Sequence, residues 1–205
     1  GLVTADGRPL APVEAVSGTL APAAADPDAR FAVRPYPARL AAIVTAKDGV
    51  SYRLRPLRAE DEPGLAQFGQ RMTPDDLRLR FFQPMRALSH ELAARLTQID
   101  YDREMAFGLF PADGDAMLAV VRLHREPRGD SGEFAITVRS DMQGHGFGRL
   151  MMERILDYAR AQKIKTVFGL VLAENSGMLR LARSLGFSAR SEPGDATVVR
   201  VEIAL

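Results

Sequence analysis

Three glycines at alternate positions, in the run Gln143-Gly144-His145-Gly146-Phe147-Gly148, limit most tightly what this chain can become. They stand between a segment patterned as a strand, Glu133 to Arg139, and one patterned as a helix, Phe147 to Gln162. Without Cβ atoms, the backbone there can come close to a bulky ligand. The helix that follows turns its unpaired N–H groups and the positive end of its dipole back onto the loop. A strand, a Gly-rich loop and a helix in that order read as a cradle for a pyrophosphate. A dinucleotide fingerprint spaces its glycines differently and ends the next strand on an acidic residue, and neither holds here. A P-loop is excluded because no Gly-Lys-Ser/Thr follows.

The rest of the chain surrounds that loop with strands and helices. Ala11 to Ala29 is mostly Ala, Pro, Asp, Val and Glu. Phe31 to Pro37 reads as a short extended piece, since each proline turns its predecessor away from the helical region. Residues 1–46 are therefore expected to be a linker or the tail of an upstream domain, with one docking strand, and 47–205 the folded domain. Tyr52 to Leu57 alternates as a strand, and Ala59-Glu60-Asp61 opens a helix to about Met72. Thr73 caps a second helix with Pro74 at its first position, running to about Phe82, and Ser89 caps a third. Met105 to Phe110 and Ala116 to Leu123 are apolar strands joined through Ala112-Asp113-Gly114-Asp115, a hairpin signal. Arg128-Gly129-Asp130 turns the chain into Glu133 to Arg139. After the loop, Leu150, Met151, Ile155 and Tyr158 share one helix face. Val167 to Leu172 is a wholly apolar strand. Asn175 caps a helix carrying Met178, Leu181, Ala182 and Leu185 on one side, with Gly186 at its C′ position. Val198 to Leu205 closes as a strand. This order predicts an α/β fold, with a mixed, mostly antiparallel sheet and helices on both faces.

Composition removes several function classes. The 205 residues, 46% hydrophobic and 26% charged, suit one ordinary domain with an appendage. A net charge of +1 makes no electrostatic case for nucleic acid or an anionic membrane. With no cysteine there is no disulfide, thiolate zinc site or Cys nucleophile, as expected of a cytoplasmic protein. No apolar stretch approaches the ~18 residues of a spanning helix. His90, His124 and His145 show no ligand spacing, so no metal is expected.

The stretch QGHGFGRLMMERILDYAR resembles the acyl-CoA loop and helix of the GNAT N-acetyltransferases. AENSGMLRLARSLGF resembles that superfamily's Asn-capped helix and terminal Gly-Phe. The resemblance covers about Ser51 to Leu205 and implies the GNAT (acyl-CoA N-acyltransferase) fold with acetyl-CoA as cosubstrate. Three further stretches, SYRLRPLRAEDEP, DDLRLRFFQPMRALSHELAARLTQIDYDREMAF and GEFAITVRSDMQGHGFG, resemble the bacterial protein lysine acetyltransferases. In that group the GNAT domain is often fused to an acyl-CoA synthetase-like (NDP-forming) region, and FAVRPYPARL resembles the join. The resemblance thus implies a protein lysine as acceptor, with acyl-CoA synthetases as the partner proteins.

It also implies roles for particular residues. The N–H groups of Gly144, Gly146, Phe147, Gly148 and Arg149, with Gln143 at the loop's start, would hold the pyrophosphate. Backbone groups of Ile136 and Val138 would pair with the pantetheine arm as if it were another strand. Glu133 to Val138 spans roughly 17 Å at ~3.3 Å per residue. That is comparable to the arm, so Glu133 lies near the thioester end. A lysine amine, with an ordinary pKa of about 10.4, needs a base acting directly or through one water. Strand position alone favours a solvent-facing Glu133 at a hairpin end; the resemblance makes it the base. Asn175 is explained as a helix cap, and in the family this position also contacts the CoA arm. Many GNAT proteins carry a Tyr, acting as general acid, where this chain has Ala182. The leaving thiolate would take its proton from water, from Ser176 or from neither. Asp100, Asp102 and Glu104 would either attract a lysine or form a solvated loop paired with Arg103. Arg78 to Phe82 reads as an amphipathic helix end rather than a binding patch. With no Cys to carry an acyl group, direct transfer in a ternary complex is expected. The rival readings are a small-amine acetyltransferase with a closed pocket and a non-catalytic acyl-CoA-sensing module.

Overall fold

The computed structural model describes residues 34–127 and 129–205. Its strands are β1 (Ala42–Thr45), β2 (Ser51–Pro56), β3 (Glu104–Pro111), β4 (Ala119–Arg125), β5 (Ser131–Val138), β6 (Thr166–Leu172), β7 (Ser188–Glu192) and β8 (Asp195–Ala204). They form one sheet in the order β1-β2-β3-β4-β5-β6-β8-β7. Every pairing is antiparallel except β5 with β6. That exception places the chain crossover, and with it the long helix, between these two strands.

The helices are α1 (Glu62–Gln70), α2 (Pro74–Phe81), α3 (His90–Thr97), α4 (Phe147–Ala161) and α5 (Ser176–Ser184). Three of them, α2, α3 and α5, start where a side chain takes a free N–H group. Thr73 Oγ1 accepts from the Asp76 N–H, Ser89 Oγ from Leu92, and Asn175 Oδ1 from Met178. The last helix, α5, stops in a paired motif: the Phe187 N–H returns to the Ala182 carbonyl and that of Gly186 to Arg183, both at 3.0 Å. Gly186 takes the required left-handed φ of +90°.

Strand alternation divides the core between the two faces. Met105, Phe107 and Leu109 of β3, with Val121 and Leu123 of β4 and Phe134 of β5, pack with Met151, Met152 and Ile155 of α4. Ala106 and Phe110, on the other face, join Leu57, Leu65, Phe68 and Leu77 beneath α1 and α2. The predicted fold class is the observed one, and helices do lie on both faces.

Three local differences have physical causes. Of the strand expected at Phe31 to Pro37, residues 31–33 lie outside the described residues and 34–37 are irregular. The strand that docks is β1, whose Ala42 to Thr45 pairs with Leu54 to Ser51 of β2. The closing strand begins earlier than expected, and the polar segment Ser188–Glu192 pairs with it as an edge strand, β7. This segment shows no apolar alternation because almost all of it is exposed.

One ion pair fixes the start of the α1 region. Arg55 on β2 donates twice to the Asp61 carboxylate, both at 2.7 Å, and Asp61 also accepts from the Arg58 N–H at 2.9 Å. Both side chains are buried, at 12% and 9% exposure. Burial works against the charge on Asp61, but the bonds from Arg55 and Arg58 outweigh it and hold the carboxyl below its usual range. A depressed carboxyl stabilises the fold above its unfolded value of about 4 and loses that contribution as pH falls through the folded value. Asp61→Ala should cost about 3 kcal/mol at pH 7 in urea unfolding, because it leaves Arg55 buried without its partner. The gap to the unmodified protein should narrow as pH drops below about 4.

Candidate active site

The β5–β6 contact is brief. It runs from Ser131↔Thr166 through Gly132↔Val167 to Glu133↔Phe168 and then ends. Beyond that point each strand follows its other neighbour: β5 stays on β4 as far as Val138, and β6 stays on β8 as far as Leu172. The sheet therefore opens as a wedge with Glu133 at its apex. From Phe134 onward, the β5 edge that faces the wedge has no strand beside it. Such an edge offers N–H and C=O groups to an extended ligand. Phe134, the first residue past the last pair, lays its ring over Gly169 of β6 and against Phe187, 5.4 Å away at 66°.

The wedge forms a groove of about 500 Å³, in the usual range for a small-molecule site. Glu133, Ile136, Val138, Gln143, Gly144, Phe147, Gly148 and Asn175 all line it. Gly146 and Arg149 are not in its wall. Gly146 is the N-cap of α4, and the Arg149 side chain turns away to Glu153 and Ser184. Two of the three loop glycines are needed for backbone shape: Gly144 and Gly146 have φ of +83° and +87°, strained for any other residue. Gly148 is needed for closeness, since a Cβ there would stand 3.1 Å from Leu181. The Leu150 N–H bonds back to the Gly146 carbonyl, so the N–H groups before it at the start of α4 are left for an outside acceptor. The free strand edge and this N-terminus at the far end of one groove fit the arm and pyrophosphate of an acyl-CoA. His145 is turned onto the loop itself, stacked on Phe147 with Nδ1 near the Gln143 carbonyl.

The loop is tied to α2 by a residue the sequence did not single out. The Asp76 carboxylate accepts from Ser140 Oγ, from Gln143 Nε2 at 3.1 Å and from Thr73 Oγ1 at 2.8 Å. Its only sequence signal was its place after the Thr73 cap. Arg80, read from the sequence as part of a helix end, also reaches the groove. Glu133 lies on the same sheet face as Ala135 and Thr137, beneath α2, and Arg80 lines both the groove and a small cavity touching those residues. Burial, and then the like charge of Arg122, pull Arg80 down to about 10, against the opposing pull of Glu133 and Glu104. Arg122 itself is buried, bonded to the Glu104 carboxylate and the Leu96 carbonyl.

Comparison with known proteins agrees with this geometry. A family model described as the acetyltransferase (GNAT) domain matches residues 52–188. The chain belongs to the GNAT acetyltransferase family. It is 32% identical over 160 residues to an acetyltransferase of Pseudomonas aeruginosa (PA5475), covering 77% of this chain and 86% of that protein. The GNAT domain of S. lividans PAT superposes with a TM-score of 0.76 at 28% identity, over 83% of this chain and 100% of that one. RimL, a ribosomal L7/L12 α-N-protein acetyltransferase in complex with coenzyme A, shares the fold alone, with a TM-score of 0.65 at 16% identity over 80% of this chain and 98% of its own. The family draws its acetyl group from acetyl-CoA.

Other expected features of a GNAT site are placed as follows. Asn175 caps α5 and also stands in the groove wall. Ala182, where many members carry Tyr, is fully buried and offers no proton, while Ser176 lines the groove. The acidic cluster lies elsewhere: Asp102 pairs with Arg34, Asp100 with Arg103 and Glu104 with Arg122, none of them in the groove wall. Arg78 to Phe82 does end a helix, and Leu79, Arg80 and Phe82 line the groove as well. Among the described residues no cluster of three metal-type ligands occurs, and no helix is long and apolar enough to cross a membrane.

The wedge depends on the Phe134–Gly169 contact. A Cβ at Gly169 would sit 2.6 Å from the Phe134 ring. Gly169→Ala should therefore cost about 1–3 kcal/mol of stability. Calorimetric titration should also show weaker acetyl-CoA binding, since the ring and β5 must shift together.

Proposed function

We propose that this chain transfers an acetyl group from acetyl-CoA to lysine side chains of proteins, with acyl-CoA synthetases as acceptors. The observation that carries the reading is the position of Glu133. It is the last β5 residue paired to β6, at the apex of the wedge, with the free β5 edge running from it to the Gly loop. In this reading the α4 N-terminus and Gly144 hold the pyrophosphate, and the β5 edge at Ile136 and Val138 holds the extended arm. Glu133 then takes the proton from the attacking amine, directly or through one water. An N–H of the same strand faces the oxygen on which charge develops.

The groove's lips support a large acceptor. Phe82 is 43% and Leu170 38% exposed, so the Glu133 end opens to the surface between α2 and β6. A closed pocket for a small amine would bury them. Ser176, at the groove wall, is the nearest protein hydroxyl on α5 for the departing thiolate, since Ala182 has none.

Incubation with acetyl-CoA and purified acyl-CoA synthetases, followed by lysine-resolved mass spectrometry, tests the acceptor. Acetylation no higher than without the protein would exclude it. Glu133→Gln should leave acetyl-CoA affinity unchanged and slow transfer by roughly 100-fold or more; an unchanged rate at neutral pH would remove Glu133 as the base.

A further inference from the structure

Four large apolar side chains are notably exposed among the described residues. Ile43 and Val50 belong to the β1–β2 hairpin region, but Phe82 and Leu170 both line the groove. Phe82 also has a φ of +61°, and it is one of two non-glycine residues with a positive φ in the described chain. That backbone is unfavourable for a bulky side chain. A glycine would close α2 with less strain. An aromatic ring held at a costly φ and left in water at the mouth of a catalytic groove indicates a contact made only when a ligand is present.

The register decides which ligand. Paired residues of neighbouring strands project to the same face, so Phe168 lies on the Glu133 face, and Leu170, two residues on, lies there too. Phe168 is already covered by Arg200, whose guanidinium is 3.6 Å from the ring centroid, whereas Leu170 is open. Phe82, at the C-terminal end of α2, lines the same groove as Glu133 and Leu170. The β5 edge and the Gly loop occupy the rest of the groove. The two lips are also tied together, since Arg78 of α2 donates to Glu174 after β6 at 2.5 Å.

We propose that Phe82 and Leu170 are specificity-determining residues that grip the apolar stem of the acceptor amine, on the Glu133 side of the groove. The proposal rests on the reading of Glu133 as the base. A lysine side chain suits such a grip, because its methylenes can lie between the two side chains while the amine reaches inward.

The test uses the whole chain with Phe82→Gly and Leu170→Ser. Glycine is at home at this φ, so Phe82→Gly removes the ring and keeps the turn, and thermal unfolding checks both variants. Acetyl-CoA is titrated into each protein, and Nα-acetyl-lysine methylamide into each protein saturated with CoA. Acetyl-CoA affinity should stay within about twofold, while lysine-amide affinity falls about tenfold. In turnover the same loss should enter KM for the acceptor rather than kcat. Equal losses for acetyl-CoA would assign the two residues to the arm of the cosubstrate and overturn the proposal. Unchanged lysine-amide binding in the variants would overturn it, and so would an unmodified protein that binds no lysine amide. Lysine-amide binding that needs Phe82 and Leu170, with no acetyl transfer, would support the grip and remove the Glu133 reading instead.

Discussion

Everything at the groove depends on how soon β5 and β6 part. Parallel strands that stayed paired would bury the β5 edge and leave no room for an arm. Here each strand is held more firmly on its far side, β5 by β4 and β6 by β8, and the two halves of the sheet meet over three residues. The Phe134 ring over Gly169 fills the space just past that meeting. Two consequences follow from one geometry: a strand edge is freed along the groove, and Glu133 is fixed at the apex where the strands part.

The other groove wall is joined to the ligand loop by hydrogen bonds. Asp76 accepts from Gln143 and Ser140 and so ties α2 to the loop. Leu79, Arg80 and Phe82 follow on the same helix. Arg80 is the unusual member of that wall. Its charge is carried close to Glu133 and Arg122, and no hydrogen bond or ion pair among the described residues holds its head group.

Much of the fold was legible because local rules and tertiary packing agree. Thr73, Ser89 and Asn175 cap where a cap was expected, and Gly186 closes α5 with the φ that its type permits. The apolar strands were legible because burial on both faces leaves an uninterrupted pattern. β7 was not, since an exposed edge strand is specified by its partner's ladder and carries no period of its own. The Gly loop was legible from residue type and order, whereas Glu133 was singled out only through the family resemblance. Asp76 and Leu170 were not singled out, and Arg80 and Phe82 were read only as a helix end, because each resembles an ordinary helix or strand residue until the chain brings it to the groove. The acidic run from Asp100 to Glu104 shows the reverse: conspicuous in sequence, it is taken up by Arg34, Arg103 and Arg122.

By itself the sequence determined the strand–Gly loop–helix unit and the order of elements. These follow from backbone conformation, capping and periodicity, which act over a few neighbouring residues. Only the tertiary structure decided where β5 and β6 separate, which face Glu133 takes and what stands opposite it. Those depend on ladders and ring contacts between segments far apart in the chain, such as Arg78 with Glu174 and Phe134 with Gly169. No local pattern encodes a distance between residues that meet only after the sheet has formed.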